Sequence, residues 1–244
     1  MLNIVIPMAG KSIFFESSEY IYPKPLIEVN GKTMIELVIN NLNELTVDKN
    51  FIFILKNDNC AKYHIDNTIK LLTDDKATIM YVDGDTRGAV CTALLSIEYI
   101  NNDDSLIIAN SDQIIEKCLM SAYNDFTHKN YDAAVITFES VHPKWSYVKL
   151  GDMNEVIETA EKKPISKNAI AGLYYFNKGK YFVEAAFHSI EKDVNLNGLY
   201  FIAPVLNEMI LKNYHLGTYA INSSQYHSFY SPQKIQEYEK LVRQ

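Results

Sequence analysis

The 244-residue sequence predicts an α/β fold built on a mixed, mostly parallel β-sheet. Short apolar strands alternate with helical segments through the first half, which is typical of parallel strands joined by helices. The first strand, residues 2–8, is apolar at nearly every position, and this indicates burial on both faces. In the second half two short strands flank a Gly151-Asp152 turn, which predicts a hairpin and therefore a mixed sheet.

The first half is predicted to hold four sheet strands separated by three helices. An extended piece at residues 26–29 and an Asn30-Gly31 turn precede the first helix. Thr33 caps that helix, and Glu36 three residues later completes a capping box. The strands are residues 2–8, 51–55, 77–82 and 105–109, and the later helices are residues 61–72 and 89–100.

The second half is predicted to complete the same sheet. No Gly-, Ser- or Pro-rich linker and no repeat divides the chain, so residues 1–244 are expected to form one domain. Pro232 opens the last helix at or near its first turn. The other helices are residues 119–127, 178–191 and 203–211, and the strands are residues 133–138, 147–150, 156–159, 168–176 and 217–221.

Composition excludes several classes of function. The net charge of -7 argues against a nucleic-acid-binding surface, although a few local lysines would suffice for a nucleotide. No apolar stretch is long enough to span a membrane, and no secretory signal opens the chain. The cysteines, Cys60, Cys91 and Cys118, show no metal-ligand spacing, so reduced thiols and a cytoplasmic location are expected.

The loop after the first strand could hold a phosphate or a base. Ala9 and Gly10 have almost no side chain, so backbone N–H groups can approach a ligand closely. Pro23 and Pro25 hold the backbone of Lys24 still, which suits binding of a multiply charged anion. The alternative is that Gly10 only turns the chain and that Lys24 is a solvated loop residue.

Three further loops carry candidate chemistry, and each has a structural alternative. Asp112 follows a buried strand, where a carboxylate can hold Mg²⁺, but it could equally cap a following helix. The loop of Thr86, Arg87 and Gly88 meets a helix start that could receive an anion, or it is an ordinary connection. Lys162 could neutralise a phosphate, or belong to a solvated charged loop.

Trp145, the one tryptophan in the chain, is a weaker candidate, because it could lie at the mouth of a pocket or pack in the core.

Taken in chain order, six motifs make the sequence similar to a known enzyme family. They are Pro-Met-Ala-Gly, Pro-Lys-Pro-Leu-Ile-Glu-Val-Asn-Gly-Lys-Thr-Met-Ile, Thr-Arg-Gly-Ala, Asn-Ser-Asp-Gln, Glu-Lys-Lys-Pro and Gly-Leu-Tyr-Tyr-Phe. Each motif alone is short, but the ordered set resembles the sugar-phosphate nucleotidyltransferase family over nearly the whole chain. Within that family the sequence is most similar in character to capsule-locus cytidylyltransferases.

The resemblance implies a Rossmann-like fold of the glycosyltransferase-A type and a Mg²⁺-dependent reaction. An acceptor phosphate attacks the α-phosphate of a nucleoside triphosphate, and pyrophosphate leaves. The implied triphosphate is CTP, and phosphoglutamine is one implied acceptor, in capsule or surface polysaccharide biosynthesis. Residues 1–112 would form the nucleotide-binding half and residues 113–244 the acceptor-binding half. A homodimer is compatible with these expectations.

The resemblance also assigns roles by position. Lys24 matches the lysine that stabilises charge near the α-phosphate, and Asp112 matches the metal aspartate. Glu161 and Lys162 match the motif that reaches the acceptor, with Lys162 on its phosphate, and Gly172 matches a glycine of the acceptor pocket. The nucleotide-binding positions are Met8, Ala9, Gly10, Lys11, Ser12, Thr86, Arg87, Gly88 and Asn110.

Two departures from the family pattern keep other functions open. The first loop lacks its usual arginine, so Lys11 or Arg87 would have to replace it at the leaving pyrophosphate. Near the end of the chain Ser228 stands where many members have a second carboxylate. A non-catalytic nucleotide-binding protein would explain both losses. A glycosyltransferase is the other alternative, but its usual Asp-x-Asp is Asn110-Ser111-Asp112 here.

Overall fold

A nine-stranded mixed sheet forms the centre of the computed structural model, which describes residues 1–10, 13–15 and 20–243. Two small two-stranded sheets flank it within these residues. The strands are β1 (Leu2–Pro7), β2 (Glu28–Val29), β3 (Lys32–Thr33), β4 (Lys49–Lys56), β5 (Thr78–Val82), β6 (Ser105–Ala109), β7 (Gln113–Ile115), β8 (Ala133–Glu139), β9 (Tyr147–Leu150), β10 (Val156–Ala160), β11 (Asn168–Phe176), β12 (Leu216–Ile221) and β13 (Tyr226–Ser228).

Helices cover both faces of the sheet, as the alternating pattern predicts. They are α1 (Met34–Leu42), α2 (Asn57–Tyr63), α3 (Ile65–Leu72), α4 (Ala89–Leu94), α5 (Ile97–Ile100), α6 (Leu119–His128), α7 (Gly179–Glu191), α8 (Ile202–Leu211) and α9 (Pro232–Val242). In the part of the chain that the structure describes, no helix combines the length and the apolar character needed to cross a membrane.

The sheet order confirms the predicted α/β class. Strands run β10-β9-β11-β6-β1-β4-β5 across the sheet, and β8 pairs with both β11 and β12. β1 lies between β4 and β6, parallel to both, and β5 extends this parallel block. β11 joins the block antiparallel to β6 and connects it to the β9–β10 hairpin. The carboxyl ends of the parallel strands therefore meet at one edge, where functional loops belong.

Burial on both faces explains why β1 is central. Ile4 and Ile6 are fully buried on one face, in the core that includes Ile35 of α1. Val5 points to the other face and joins the core that includes Val90 of α4. The first strand is thus apolar at successive positions because neither face meets water.

The predicted start of the first helix is confirmed in most details. Asn30 and Gly31 have φ of 51° and 77°, and they form the turn between β2 and β3. Glu36 N–H donates to Thr33 Oγ1 over 3.3 Å, which is one half of the predicted capping box. The Glu36 carboxylate instead forms an ion pair with Lys32 at 3.4 Å.

Two predicted helices are each broken in two. The helix expected at residues 61–72 is interrupted at His64, whose φ of 53° and ψ of 39° are left-handed and end α2. The helix expected at residues 89–100 is interrupted before α5, where buried Ser96 donates its hydroxyl to the Ala93 carbonyl over 2.7 Å. The prediction of two continuous helices was therefore wrong. Neither break has a proline or glycine that would have indicated it in the sequence.

A short strand pair next to Asp112 was not predicted. β7 begins at Gln113 and pairs antiparallel with β13, so that Ser228 lies opposite Gln113. Phe229 N–H donates to the Asp112 carbonyl over 2.7 Å and continues the pairing. Asp112 is therefore followed by a strand, and the interpretation of Asp112 as a helix cap was wrong.

Candidate active site

Two cavities lie side by side where the parallel strands end. The Gly10 cavity, of about 500 Å³, lies at the end of β1 and at the start of α4. The Asp112 cavity, of about 520 Å³, lies beyond β6 and reaches the β9–β10 hairpin. Ala89 and Phe201 line both cavities, and we call these two residues the shared wall. Molecules bound in the two cavities would therefore lie next to each other at the shared wall.

The Gly10 cavity brings together four of the residues predicted to bind nucleotide. Ala9, Gly10, Thr86 and Gly88 all line it. Among residues 1–10, 13–15 and 20–243, a Cβ added to Gly10 would meet no atom within 4 Å, so packing against these residues does not account for this glycine. Open space beside a glycine backbone allows a ligand such as a phosphate to approach its N–H group closely.

Three predicted positions of the first loop differ in their placement. Met8 is buried and belongs to the core cluster beneath the loop, so it does not line the Gly10 cavity. Lys11 and Ser12 lie outside the described residues.

Gly88 has a packing role that the sequence analysis did not foresee. Its φ is +101°, and an added Cβ would overlap the backbone of Tyr200. Tyr200 N–H donates to the Arg87 carbonyl over 2.8 Å, and Val90 N–H donates to the Tyr200 carbonyl over 3.2 Å. Gly88 is therefore required for the close approach of the segment at residue 200, which carries Phe201 into the shared wall.

The side chains of Thr86 and Arg87 are held by different partners. The Thr86 hydroxyl lies 2.5 Å from the Thr92 hydroxyl inside the Gly10 cavity. Arg87 is exposed, donates from Nε to the Gly198 carbonyl over 3.3 Å and stacks 5.2 Å from the centre of the Tyr200 ring. Arg87 lines neither cavity and instead holds the segment that precedes Phe201.

Lys24 and Asp112 form an ion pair at the edge of the Asp112 cavity. Their side chains are only 15% and 19% exposed, although the residues lie 88 positions apart in the sequence. Asp112 lines the cavity, and the Lys24 ammonium lies 5.6 Å from the centre of the Phe15 ring. The two residues that the sequence analysis assigned to charge stabilisation and to metal binding are thus direct neighbours.

A network of amides fixes the floor of the Asp112 cavity. Asn110 Nδ2 donates to Gln113 Oε1 over 3.3 Å, and Gln113 Nε2 donates to the Ala171 carbonyl over 2.6 Å. The Tyr226 hydroxyl donates to Gln113 Oε1 over 3.0 Å. Gly172 has a φ of +61°, and a Cβ there would overlap the Asn110 and Gln113 side chains. The predicted residues Asn110 and Gly172 therefore belong to one network.

Glu161 and Lys162, the two residues predicted to reach the acceptor, both line the Asp112 cavity. The Ser146 hydroxyl donates to Glu161 Oε2. Burial raises the pKa of the Glu161 carboxyl, and the Ser146 hydrogen bond and the nearby Lys162 charge oppose part of that rise. The Lys162 ammonium lies 4.9 Å from the centre of the Phe201 ring, beside the shared wall.

The oxygen ligands at this site fit a magnesium ion that arrives with phosphates. Asp112 supplies a carboxylate, and Ser228 lines the same cavity. Within the described residues no group of three His, Cys, Asp or Glu side chains could hold a metal. Because Mg²⁺ commonly uses one or two protein carboxylates with water and phosphate oxygens, one carboxylate is a sufficient protein contribution.

An aromatic wall of the Asp112 cavity was largely missed by sequence reasoning. Trp145 lines the cavity and packs edge-on against Phe138 at 5.4 Å and Tyr226 at 5.5 Å. Tyr230 lines the same wall, and the Lys144 ammonium lies over the Trp145 and Tyr230 rings. The motif His-Pro-Lys-Trp was the available signal, but only pairing of β13 with β7 brings Tyr226 and Tyr230 to it.

Comparison with known proteins places these features in context. Residues 20–219 match the family model described as Nucleotidyl transferase. The bifunctional protein GlmU of Methanocaldococcus jannaschii is 27% identical over 180 residues, which are 72% of this chain and 40% of that protein. The chain therefore spans about two-fifths of the length of that curated relative.

Two solved structures share the fold over nearly the whole chain. The nucleoside-diphosphate-sugar pyrophosphorylase from Vibrio cholerae RC9 superposes with a TM-score of 0.84 at 26% identity, covering 99% of this chain and 100% of that one. The inositol-1-phosphate CTP transferase from T. maritima gives a TM-score of 0.74 at 13% identity, covering 99% and 94%.

Proposed function

The chain belongs to the nucleotidyl transferase family, and we propose that it joins a phosphorylated small molecule to the α-phosphate of a nucleoside triphosphate. Pyrophosphate is the leaving group. The observation that carries the proposal is the pair of cavities that share Ala89 and Phe201. The triphosphate would occupy the Gly10 cavity and the acceptor the Asp112 cavity, so that the reacting phosphates meet at the shared wall.

Three groups of this chain would offset the repulsion between the two anions. Lys24 would face the charge that develops at the α-phosphate, and Lys162 would hold the acceptor phosphate in line with the leaving group. Backbone N–H groups at Ala9 and Gly10 would approach the triphosphate. Lys11 would contact the leaving pyrophosphate, as the sequence predicts.

A general base is not needed for this chemistry. The second pKa of a phosphate monoester is about 6, so the attacking oxygen is already deprotonated near neutral pH. Catalysis would then consist of positioning and charge stabilisation by the lysines and backbone groups. Glu161, which lines the Asp112 cavity, would orient the acceptor.

Asp112 would hold Mg²⁺ together with phosphate oxygens of the triphosphate. When bound, the ion would neutralise phosphate charge and orient the α-phosphate. Lys24, which pairs with Asp112, would remain beside the same phosphates.

We further propose CTP as the triphosphate and phosphoglutamine as the acceptor, in capsule or surface polysaccharide biosynthesis in the cytoplasm. The support is the likeness of the ordered motifs to capsule-locus cytidylyltransferases. The same proposal divides the chain into two halves. Residues 1–112 would bind the nucleotide, and residues 113–244 would bind the acceptor.

A pyrophosphate-release screen tests the proposed function. The purified chain would be given each of the four ribonucleoside triphosphates with Mg²⁺ and a panel of phosphorylated sugars, amino alcohols and amino acids. We expect release that requires both a triphosphate and an acceptor, greatest with CTP and phosphoglutamine. Release with another pair would correct the substrates, and no release with any pair would favour a non-catalytic nucleotide-binding protein.

A further inference from the structure

Lys144 is a cation of the Asp112 cavity that the proposed reaction does not use. It lies in the loop between β8 and β9, is half-buried and lines the cavity. Its ammonium lies 4.4 Å from the centre of the Trp145 ring and 4.3 Å from that of Tyr230, and it donates to the Tyr230 hydroxyl over 2.9 Å. Aromatic faces and one hydroxyl are thus the surroundings of a full positive charge.

The loop backbone holds Lys144 in this place. Its N–H donates to His142 Nδ1 over 3.2 Å, and Trp145 N–H donates to the His142 carbonyl over 3.3 Å. The Tyr147 hydroxyl donates to the same carbonyl over 2.7 Å. The position of Lys144 on the cavity wall is therefore a property of a pinned loop rather than of a freely moving side chain.

Lys144 has no carboxylate partner among residues 1–10, 13–15 and 20–243. An ammonium has three N–H donors, and the Tyr230 hydroxyl uses one of them. Lys24, by contrast, forms an ion pair with Asp112. Lys144 and Lys162 therefore present two ammonium groups to the Asp112 cavity. Neither ammonium forms an ion pair with any residue that the structure describes.

The two lysines occupy different parts of the wall. Lys162 lies over Phe201, which lines both cavities, so it is beside the place where the reacting phosphates meet. Lys144 lies over Trp145 and Tyr230, which line the Asp112 cavity but not the Gly10 cavity. An acceptor whose phosphate lies at Lys162 would place another part of itself against Lys144.

We propose that Lys144 binds a second anionic group of the acceptor. The acceptor class is then a phosphorylated carboxylic acid rather than the phosphate of an uncharged sugar. This inference rests on the proposed function for the assignment of the Asp112 cavity to the acceptor. The carboxylate would accept from the free N–H donors of Lys144, and the rings of Trp145 and Tyr230 would limit the access of water. A charge-assisted hydrogen bond in such surroundings is among the stronger polar contacts.

Binding of two matched pairs of phosphate compounds tests the proposal. O-phospho-L-serine has a carboxylate that O-phosphoethanolamine lacks, and 3-phosphoglycerate has a carboxylate where glycerol 3-phosphate has a hydroxymethyl group. Calorimetry on the full chain without any triphosphate should show the carboxylate-bearing member of each pair binding about tenfold more tightly. Lys144→Met should abolish that preference, and Lys144→Arg should retain it.

Lys149→Met is the matched control, because Lys149 is an exposed lysine of the neighbouring strand β9 and should leave the preference unchanged. Circular dichroism and thermal unfolding of each variant would verify folding. Equal binding within both pairs, a preference that survives Lys144→Met, or equal weakening of both members would overturn the proposal. Failure of all four compounds to bind at millimolar concentration would also count against it.

The outcome is independent of the pyrophosphate screen. A carboxylate preference that depends on Lys144, without pyrophosphate release from any pair, would refute nucleotidyl transfer and leave the anion site standing. Pyrophosphate release that occurs only when the acceptor is the phosphate of an uncharged sugar would support the transfer reaction and refute the role of Lys144.

Discussion

At the scale of single residues, the Lys24–Asp112 ion pair joins the two halves of the proposed chemistry. Pro23 and Pro25 flank Lys24 in a tight turn, and Leu26 N–H closes it onto the Pro23 carbonyl over 2.9 Å. The lysine is therefore presented from a rigid backbone to a carboxylate on the far side of the sheet edge. Both charges are mostly shielded from water, which strengthens their attraction to each other and the attraction of Lys24 for a bound anion.

Lys24→Ala and Asp112→Ala are each expected to lower turnover about a hundredfold or more while the chain stays folded. The reason is that each variant removes a charge that would act on the transferring phosphate. Steady-state pyrophosphate release with CTP, Mg²⁺ and the preferred acceptor measures the effect.

Lys129→Ala is the control for loss of a lysine in an ion pair, because Lys129 pairs with Asp125 on the surface of α6. Its turnover should equal that of the unmodified chain. Near-normal turnover in either purified site variant would contradict the roles of Lys24 and Asp112.

Glu161 is expected to make stability depend on pH in a defined direction. Burial raises its pKa, so between the ordinary glutamate pKa and the raised one the folded chain keeps a proton that the unfolded chain has lost. The free energy of unfolding should therefore fall as pH rises through that interval and level off above it. Urea unfolding of the native chain and of Glu161→Gln, which cannot titrate, would show a smaller fall in the variant.

Glu139→Gln controls for removal of an exposed glutamate, since the Glu139 side chain is 73% exposed. It should reproduce the native pH profile. Identical profiles for the native chain and Glu161→Gln would show that Glu161 does not titrate as its burial implies.

Residue types and order made the chemistry of single positions partly predictable. Lys24 and Asp112 were identified from charge beside prolines or a strand end, and Glu161 from the family resemblance. The structure places all three at the edge or wall of one cavity or in contact with it. Arg87 was assigned to a ligand, but it stacks on Tyr200. Lys144 was assigned no role, because the two rings that surround it, Trp145 and Tyr230, lie 85 residues apart in the sequence.

At the scale of elements, β7 depends on one side chain of α1. Asn41 Oδ1 accepts from Ile115 N–H over 2.8 Å, and Asn41 Nδ2 donates to the Ile115 carbonyl over 2.9 Å. The Asn41 amide thus bonds both backbone groups of Ile115, as a paired strand would. The first residue of β7 follows Asp112 directly. A change in a helix can therefore reach the proposed metal ligand.

Asn41→Ala is expected to lower the free energy of unfolding by about 1–3 kcal/mol, because it leaves the backbone groups of Ile115 without their partner. Turnover should fall as well, since β7 positions Asp112. Chemical denaturation and pyrophosphate release measure the two effects.

Asn40→Ala removes the adjacent exposed asparagine of α1 and should change neither quantity. A native free energy of unfolding in Asn41→Ala would mean that β7 is held by its pairing with β13 alone.

Elements were predictable where hydrophobic periodicity was strong and local. β1, β6 and β11 were expected within one residue of their observed bounds, since each is a nearly continuous apolar run. The breaks at His64 and Ser96 were not, because a left-handed histidine and a buried serine are selected by packing around them. β7 and β13 are three residues each, and short strands of this kind give no periodicity.

At the scale of the whole molecule, Phe201 connects the two cavities. It lies at the start of α8, lines both cavities and underlies the Lys162 ammonium. We expect Phe201→Ala to raise the KM for both triphosphate and acceptor, each by about tenfold, because a single apolar surface is removed from both sites. Initial-rate kinetics with each substrate varied in turn measures this.

Phe187→Ala, at an exposed phenylalanine of α7, is the control and should leave both KM values unchanged. An increase confined to one substrate would show that the wall is not shared in function.

The architecture as a whole could be predicted only in part. Alternation of strands and helices sufficed for the α/β class and for the edge at which the loops gather. It did not specify that β11 would pair with β6, β8 and β9, because pairings between distant strands depend on three-dimensional packing. The two-cavity arrangement depends on these pairings and on the Gly88 contact, so it became visible only in the folded chain.

The strand β13 has a consequence for how the protein is made. Tyr226 reaches Gln113 across 113 positions of the sequence. A ribosome must therefore release all of the intervening chain before the Asp112 cavity gains its aromatic wall. The Gly10 cavity needs no described residue beyond Phe201, so its lining emerges first. During synthesis the described lining of the Gly10 cavity therefore leaves the ribosome before that of the Asp112 cavity is complete.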